Sequence, residues 1–262
     1  MDKKAVIRNF SRYAYVYDRY ADVQKRAALE LLKEVKNGGF DKILEIGCGT
    51  GNYTLLLRDK FRNAGLKAID ISDKMVEVAS EKLKMKEVEF LIADAENTGL
   101  DGEFDLITSN ACFQWFADLE KALVKYKNLL KKNGVILFSV FGPSTFRELN
   151  TSLEYVLENE SVYAAGFITK EKIGEILNKH FKEIKIKETR YSEYFFRLKD
   201  LLDKIKYSGI RGEGGANGRI SFTRKLLKEL EKTYLDKFLS ANHSGKQIKA
   251  TYQIFFCAAL KA

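Results

Sequence analysis

The sequence predicts a doubly wound α/β fold with a mostly parallel, seven-stranded sheet. Three observations carry that prediction. Short apolar runs alternate with helical patterns between residues 40 and 141. The first run stops at a glycine-rich turn that opens a helix. A polar residue, Asp70, Asp94 or Asn110, stands at or just past the end of each of the next three runs. Strand-helix alternation at this spacing is the mark of parallel βαβ units.

Each element has its own signal. Residues 9–32 read as helix with aromatic punctuation from Phe10, Tyr13, Tyr15, Tyr17 and Tyr20, and Asn37-Gly38-Gly39 stops it. Residues 42–46 form a short apolar run bounded by glycines, the pattern of a buried parallel strand. Helix is predicted over 53–61, strand over 65–71, helix over 73–84, strand over 88–93 and strand over 104–110. A helix over 118–130 follows, and Asn133-Gly134 turns the chain into a fifth strand over 135–141. Beyond Pro143, the sole proline, helices are predicted over 145–158, 169–181, 198–207 and 223–239. Strands over 183–195 and 249–260 would close the sheet with a hairpin-like edge, and 211–217 is a glycine-rich loop.

The bulk numbers fit a soluble globular chain: 262 residues, 45% hydrophobic and 31% charged. Cys48, Cys112 and Cys257 follow no metal or redox spacing, so reduced thiols in a cytoplasmic protein are expected. Two histidines exclude a histidine-rich metal cluster. No signal-peptide run follows Met1, and no apolar stretch approaches the ~18 residues of a membrane span. The net charge of +9 is uneven: residues 1–150 carry +2 and residues 151–262 carry +7. An acidic partner would favour such a face; a lysine-rich solvated surface is the alternative.

The strongest motif is Leu44-Glu45-Ile46-Gly47-Cys48-Gly49-Thr50-Gly51. Glycines let a ligand approach the backbone, and the free N–H groups of the turn and helix are expected to face it. An acid two residues before the first glycine resembles the first motif of class I methyltransferases, E/D-x-G-x-G-x-G. That resemblance implies a Rossmann-like fold and S-adenosylmethionine as cofactor. About twenty residues past the turn, Asp70 ends the second strand, where an acid reaches ribose hydroxyls. Its context, Ala68-Ile69-Asp70-Ile71-Ser72, resembles the family's G-x-D-x-S. Capping the next helix is the other role open to Asp70 and Asp94, although Asp73 is also available as a cap. Asp94-Ala95 resembles the adenine-side motif, and Asn110 falls where the family's backbone lines the methionine portion. The expected cofactor set is therefore Glu45, Gly47, Gly49, Gly51, Asp70, Ile71, Asp94, Ala95 and Asn110. The nicotinamide fingerprint G-x-G-x-x-G and the P-loop G-K-[ST] are both absent.

No general base is conspicuous. A carboxylate acceptor needs none, being ionised at neutral pH with a reference pKa near 4, and orientation then dominates. Nearly the whole chain resembles the malonyl-acyl carrier protein O-methyltransferases of biotin synthesis. The resemblance rests on 10–14 (Phe10-Ser11-Arg12-Tyr13-Ala14), Tyr17-Asp18, 21–24, 109–115 and above all 141–149 (Phe141-Gly142-Pro143-Ser144-Thr145-Phe146-Arg147-Glu148-Leu149). It implies a malonyl carboxylate on acyl carrier protein, or malonyl-CoA, as the acceptor. It implies a single domain with lid helices over 1–36, a cofactor core over 40–141, and acceptor-side helices with the last strands over 142–262. Tyr17 is the candidate lid residue, Trp115 lies near the expected methyl group, and Arg147 is the candidate clamp for the carboxylate. Tyr17 and Trp115 could instead be packing residues, and Arg147 a surface arginine. A monomer is expected, with neither membrane nor nucleic acid as partner. The string 110–115 also resembles trans-aconitate methyltransferases, and a cofactor-binding partner protein acting on RNA is a further alternative; Arg190–Arg197 is the one basic, aromatic stretch that would serve it.

Overall fold

Apolar residues alternate along the central strands between two helical layers, and this alternation builds the molecule. The computed structural model describes residues 2–35, 39–157, 161–209, 223–242 and 245–261. Strands β1 (Lys42–Ile46), β2 (Gly65–Asp70), β3 (Glu89–Ile92), β4 (Phe104–Asn110) and β5 (Leu130–Phe141) run parallel in the order β3-β2-β1-β4-β5. The late strands are β6 (Lys182–Phe195), β7 (Leu239–Asn242) and β8 (Gly245–Leu260). β8 inserts between β5 and β6, antiparallel to both, and β6 forms the far edge.

Ile43, Leu106, Leu137 and Ile254 face one layer, and their neighbours Leu44, Ile107, Phe138 and Phe255 face the other. The first layer packs Ala27 and Leu31 of α2 (Asp22–Glu34), Leu57 of α3 (Asn52–Lys60), Leu153 of α6 (Arg147–Val156), Leu201 of α8 (Leu198–Tyr207) and Tyr234 of α9 (Arg224–Phe238). The second packs Leu123 and Tyr126 of α5 (Leu119–Leu129) with Ile173 and Leu177 of α7 (Lys170–His180). α1 (Lys3–Tyr17) leans on α4 (Asp73–Lys82) and α8.

Several expectations are corrected. The opening helix is two helices, broken between Asp18 and Ala21 although no glycine or proline marks the break. Tertiary bonds to Asp18, described below, win over local propensity. β5 begins at Leu130 rather than 135, because Asn133 adopts φ +60° inside a bulged pairing with β4. β8 begins at Gly245, and β7 is an eighth strand, paired with β8 in a hairpin. The cap of α4 is Ser72, whose Oγ accepts from Met75 N, and not Asp73. The predicted loop 211–217 lies outside the described residues.

A buried carboxylate fixes α6 to the sheet. Glu148 is 2% exposed. It accepts from Thr251 N at 3.0 Å, Thr251 Oγ1 at 2.5 Å and Arg147 Nε at 3.3 Å. Phe146, just before it, takes φ +58° and donates its N–H to Thr251 O. Glu148→Ala should leave both Thr251 donors buried without an acceptor and cost about 3 kcal/mol. Urea unfolding checks this; a loss under about 1 kcal/mol would show that the site relaxes around the missing carboxylate.

Candidate active site

The C-terminal ends of β1, β2 and β4 and the segment after β3 open on one cleft, closed from above by α1. Counted together with the open space at its mouth, it spans about 750 Å³. Of the predicted site residues, Tyr17, Gly47, Gly49, Asp70, Ile71, Asp94, Ala95, Asn110 and Trp115 line it. Glu45 lines a side recess that shares Tyr17, Gly47, Gly49 and Asn110 with the cleft.

The glycine turn makes room more than it offers hydrogen bonds. Gly47 has φ +72°, and a Cβ there would sit 2.3 Å from Cys112 Sγ. A Cβ on Gly49 would meet nothing within 4 Å, so this residue marks the open side. Gly51 does not line the cleft; a Cβ there would strike Leu83 at 2.7 Å, so its work is close packing of the turn on α4. The expectation of free N–H groups is corrected for this turn. Gly47 and Cys48 donate to Ile69 O at 2.7 and 2.9 Å, and Gly49 donates to Asp70 Oδ2 at 2.8 Å. A phosphate needs such donors, so this arrangement does not favour a phosphate-bearing nucleotide.

Three acids surround the turn in different electrostatic states. Asp70 bridges Gly49 N and Ser72 N, the latter at 2.9 Å. Burial pushes its pKa up, and these N–H donors oppose the rise. Glu45 is 1% exposed, and neither carboxylate oxygen has a hydrogen-bond partner. Burial pushes it up to about 8; the Thr54 hydroxyl, close enough to oppose the rise but outside hydrogen-bonding geometry, and the Asp70 charge, which adds to it, are the smaller causes. A buried, unpartnered carboxyl at the rim of a cleft is suited to a ligand that brings a positive charge. Asp94 instead lies low, because hydrogen bonds from Lys3 and Asn97 outweigh its desolvation.

Lys3 was not predicted, and nothing in the sequence links it to a residue 91 positions away. Its Nζ lies 2.7 Å from Asp94 Oδ2 and 2.6 Å from Glu96 Oε2, pinning the first turn of α1 over the segment after β3. The other end of α1 is held by Asp18, which accepts from Thr50 Oγ1 at 2.6 Å, Asn52 Nδ2 at 2.8 Å and Lys82 Nζ at 2.8 Å. Phe10 and Tyr17, on the underside of α1, form the roof. Phe10 meets Trp115 edge-on at 5.9 Å, and Trp115 meets Phe167 at 5.7 Å. Trp115 is thus both core and cleft wall. Burial raises the Tyr17 hydroxyl and the Cys112 thiol far above their ordinary values, so both stay protonated.

Asn110 is fixed by its neighbours: Oδ1 accepts from Ser139 Oγ at 2.7 Å and Nδ2 donates to Gln24 O at 3.1 Å. Ala111 takes φ +54°, a strained conformation for a side chain with a Cβ, held by Ser139 O and Oγ. Arg147 is not brought into the cleft. It sits exposed at the first turn of α6, beside Glu148. Arg190 and Arg197, the ends of the basic aromatic stretch, pair with Glu188 and Asp200. Among the described residues no group of three or more His, Cys, Asp or Glu is placed to hold a metal.

The Asp18 latch has a pH signature. Desolvation raises the Asp18 pKa, but hydrogen bonds from Lys82, Thr50 and Asn52 outweigh it and hold the group below its ordinary value. Its stabilisation is therefore complete above the unfolded carboxylate pKa near 4 and is lost as pH falls through the folded value. Asp18→Asn at neutral pH should raise amide exchange at the Tyr17 end of α1, as should acidification of the native protein. Unchanged exchange in the folded variant would assign the lid's hold to Lys3 and packing alone.

Comparison with known proteins fits this geometry. Residues 44–138 match the family model described as "Methyltransferase domain". A malonyl-[acyl-carrier protein] O-methyltransferase of Ilyobacter polytropus is 39% identical over 246 residues, covering 92% of this chain and 90% of that one. The enzyme of the same name from Acetivibrio thermocellus is 34% identical, covering 100% and 95%. Among solved structures, the YcgJ protein of Bacillus subtilis superposes with a TM-score of 0.61 at 16% identity, over 90% of this chain and 98% of its own. Phosphoethanolamine N-methyltransferase 2 of Haemonchus contortus, in complex with S-adenosyl-L-methionine, gives 0.58 at 21% identity, over 95% and 57%. These structures share the fold. With similarity of this degree running through both halves of the sequence, the chain belongs to the malonyl-[acyl-carrier protein] O-methyltransferase family.

Proposed function

We propose that this protein transfers a methyl group from S-adenosylmethionine to the free carboxylate of a malonyl thioester on acyl carrier protein. It would act as a single-domain, cytoplasmic monomer that supplies a charge-masked primer for biotin precursor synthesis. The observation that carries this reading is the similarity to the named relatives beyond the cofactor half, through the acceptor-side helices and the last strands. No helix of the described residues is long and apolar enough to cross a membrane.

The cleft fits the proposed cofactor. Glu45, buried and unpartnered, is suited to the ammonium of the methionine portion. Asp70 is suited to the ribose hydroxyls, with Ile71 and Ala95 as apolar walls and Asp94 at the adenine edge. Asn110 and the Ala111 backbone border the methionine portion. When bound, S-adenosylmethionine supplies a sulfonium methyl group. Around it the chain's own residues exclude water and orient the acceptor: Phe10, Tyr17 and Trp115 make an aromatic roof and wall. A malonyl carboxylate arrives ionised, so the protonated Tyr17 and Cys112 need take no proton. What the acceptor needs is alignment and partial desolvation. Arg147, on the acceptor side, is our candidate for the cation that meets it as the substrate seats.

Glu45 gives the cofactor a pH dependence. An ammonium binds better to an ionised carboxylate, and Glu45 loses its proton only near pH 8. S-adenosylmethionine affinity should therefore rise as pH goes from about 6 to 8. Glu45→Gln should flatten that slope in calorimetric titrations; a wild-type affinity independent of pH would remove Glu45 from contact with the ammonium.

The acceptor is tested by mass-spectrometric methylation of malonyl-carrier, malonyl-CoA, trans-aconitate and RNA side by side. Malonyl-carrier should gain one methyl ester. Arg147→Ala should lower kcat/KM for it by about tenfold or more, with cofactor affinity unchanged. Methylation of trans-aconitate or RNA alone would overturn the proposal, and full turnover by Arg147→Ala would give the clamp to another cation.

A further inference from the structure

Part of the +7 of residues 151–262 is offset by acids from outside the segment: Glu120 faces Lys179, Glu34 faces Lys185, Glu30 faces Lys187 and Asp22 faces Lys204. Lys172, Lys179, Lys185, Lys187, Arg190, Arg197, Lys199 and Lys204 each have a carboxylate within 4 Å. Of the described cations for which no carboxylate lies within 4 Å, two groups share one element or one junction. One is an exposed stripe on α9, formed by Arg224, Lys228 and Lys232 at helical spacing. The other joins α1 to α8. There Arg12 lies 5.6 Å from the centre of the Tyr13 ring, and Lys206 lies 5.8 Å from the same ring and 5.0 Å from that of Tyr207. Tyr207 meets Tyr13 edge-on at 5.0 Å and stacks on Tyr20 at 4.7 Å, beside the exposed Arg19.

The second cluster adjoins the cleft. Phe10 and Tyr17, one turn to either side of Tyr13, form the cleft roof. Gly209, two residues past Tyr207, packs so closely on Phe10 that a Cβ would fall 2.2 Å from the ring. α9, by contrast, packs on α6, α8 and the last strands and contributes nothing to the cleft wall. Ring faces hold cations in place while leaving their charge uncancelled. A substrate tethered to a protein by a short arm must dock that protein beside the cleft mouth, whereas a free small molecule has no such need.

We infer that Arg12 and Lys206, set on the Tyr13–Tyr207 pair, form the docking surface for an acidic carrier protein. The inference rests on the carrier-bound substrate proposed above. Docking of this kind acts through charge, so it governs encounter and partner choice and weakens as salt shortens the Debye length.

The test uses the full chain and two substrates with the same carboxylate: malonyl-carrier, and malonyl-pantetheine, which lacks both the acidic protein and the phosphate. The double variant Arg12→Glu with Lys206→Glu should lower kcat/KM for malonyl-carrier by about tenfold or more at low salt. Turnover of malonyl-pantetheine and S-adenosylmethionine affinity should stay within about twofold of wild type. Lys228→Glu with Lys232→Glu on α9 should leave both substrates near wild type. Fluorescence anisotropy of labelled holo-carrier should show the same order of affinities without any chemistry. Equal losses on both substrates, a larger loss from the α9 variant, or wild-type carrier affinity in the double variant would each overturn the inference. If the wild-type protein binds carrier through this patch but methylates neither substrate, the docking surface stands and the malonyl reading falls.

Discussion

The two hydrogen bonds to Asp70 are the contact on which the site depends. One carboxylate, at the end of β2, accepts from Gly49 in the turn after β1 and from Ser72 at the cap of α4. Through them the open side of the glycine turn, the acid and the start of α4 hold a common geometry. Ser72 then caps α4 with its own hydroxyl, and Ser11 of α1 bonds that hydroxyl at 2.8 Å. The floor of the cleft and the first contact of its roof are therefore parts of one network.

The roof is attached by charge at both ends and by aromatic packing between them. Lys3 grips Asp94 and Glu96, and Asp18 is gripped by Thr50, Asn52 and Lys82. These are partly exposed contacts of modest strength, unlike the buried core under β1 and β4. A lid held this way can be opened at a fraction of the cost of unfolding the sheet. The same latches place Phe10 and Tyr17 over the cleft, and the same helix carries Tyr13, so one helix both covers the cleft and bears part of the proposed docking surface.

The cleft's electrostatics suit a reaction in which the acceptor brings its own charge. Glu45 is left for a cation, Asp94 is already paired, and Tyr17 and Cys112 are held protonated by burial. Catalysis of this type falls mainly to orientation and exclusion of water. The anchoring of α6 by Glu148 belongs to the same economy of parts: a carboxylate without chemistry fixes the helix that carries Arg147.

Local patterns in the sequence determined the parallel strands, the turn 47–51 and the acids Asp70 and Asp94, because period-2 alternation, glycine placement and strand ends are short-range signals. The family resemblance, carried by longer strings of the sequence, marked Tyr17 and Trp115 as candidates for the cleft. Only the tertiary structure decided that Gly51 packs against Leu83 instead of facing the cleft, and that the N–H groups of Gly47, Cys48 and Gly49 are taken by Ile69 and Asp70. It alone broke the opening helix at Asp18, reached Lys3 across to Asp94, and left Arg147 outside the cleft. Apart from Arg147, these outcomes turn on partners 21 to 91 positions away, whose closeness comes from the strand order of the sheet and from no pattern that neighbouring residues carry.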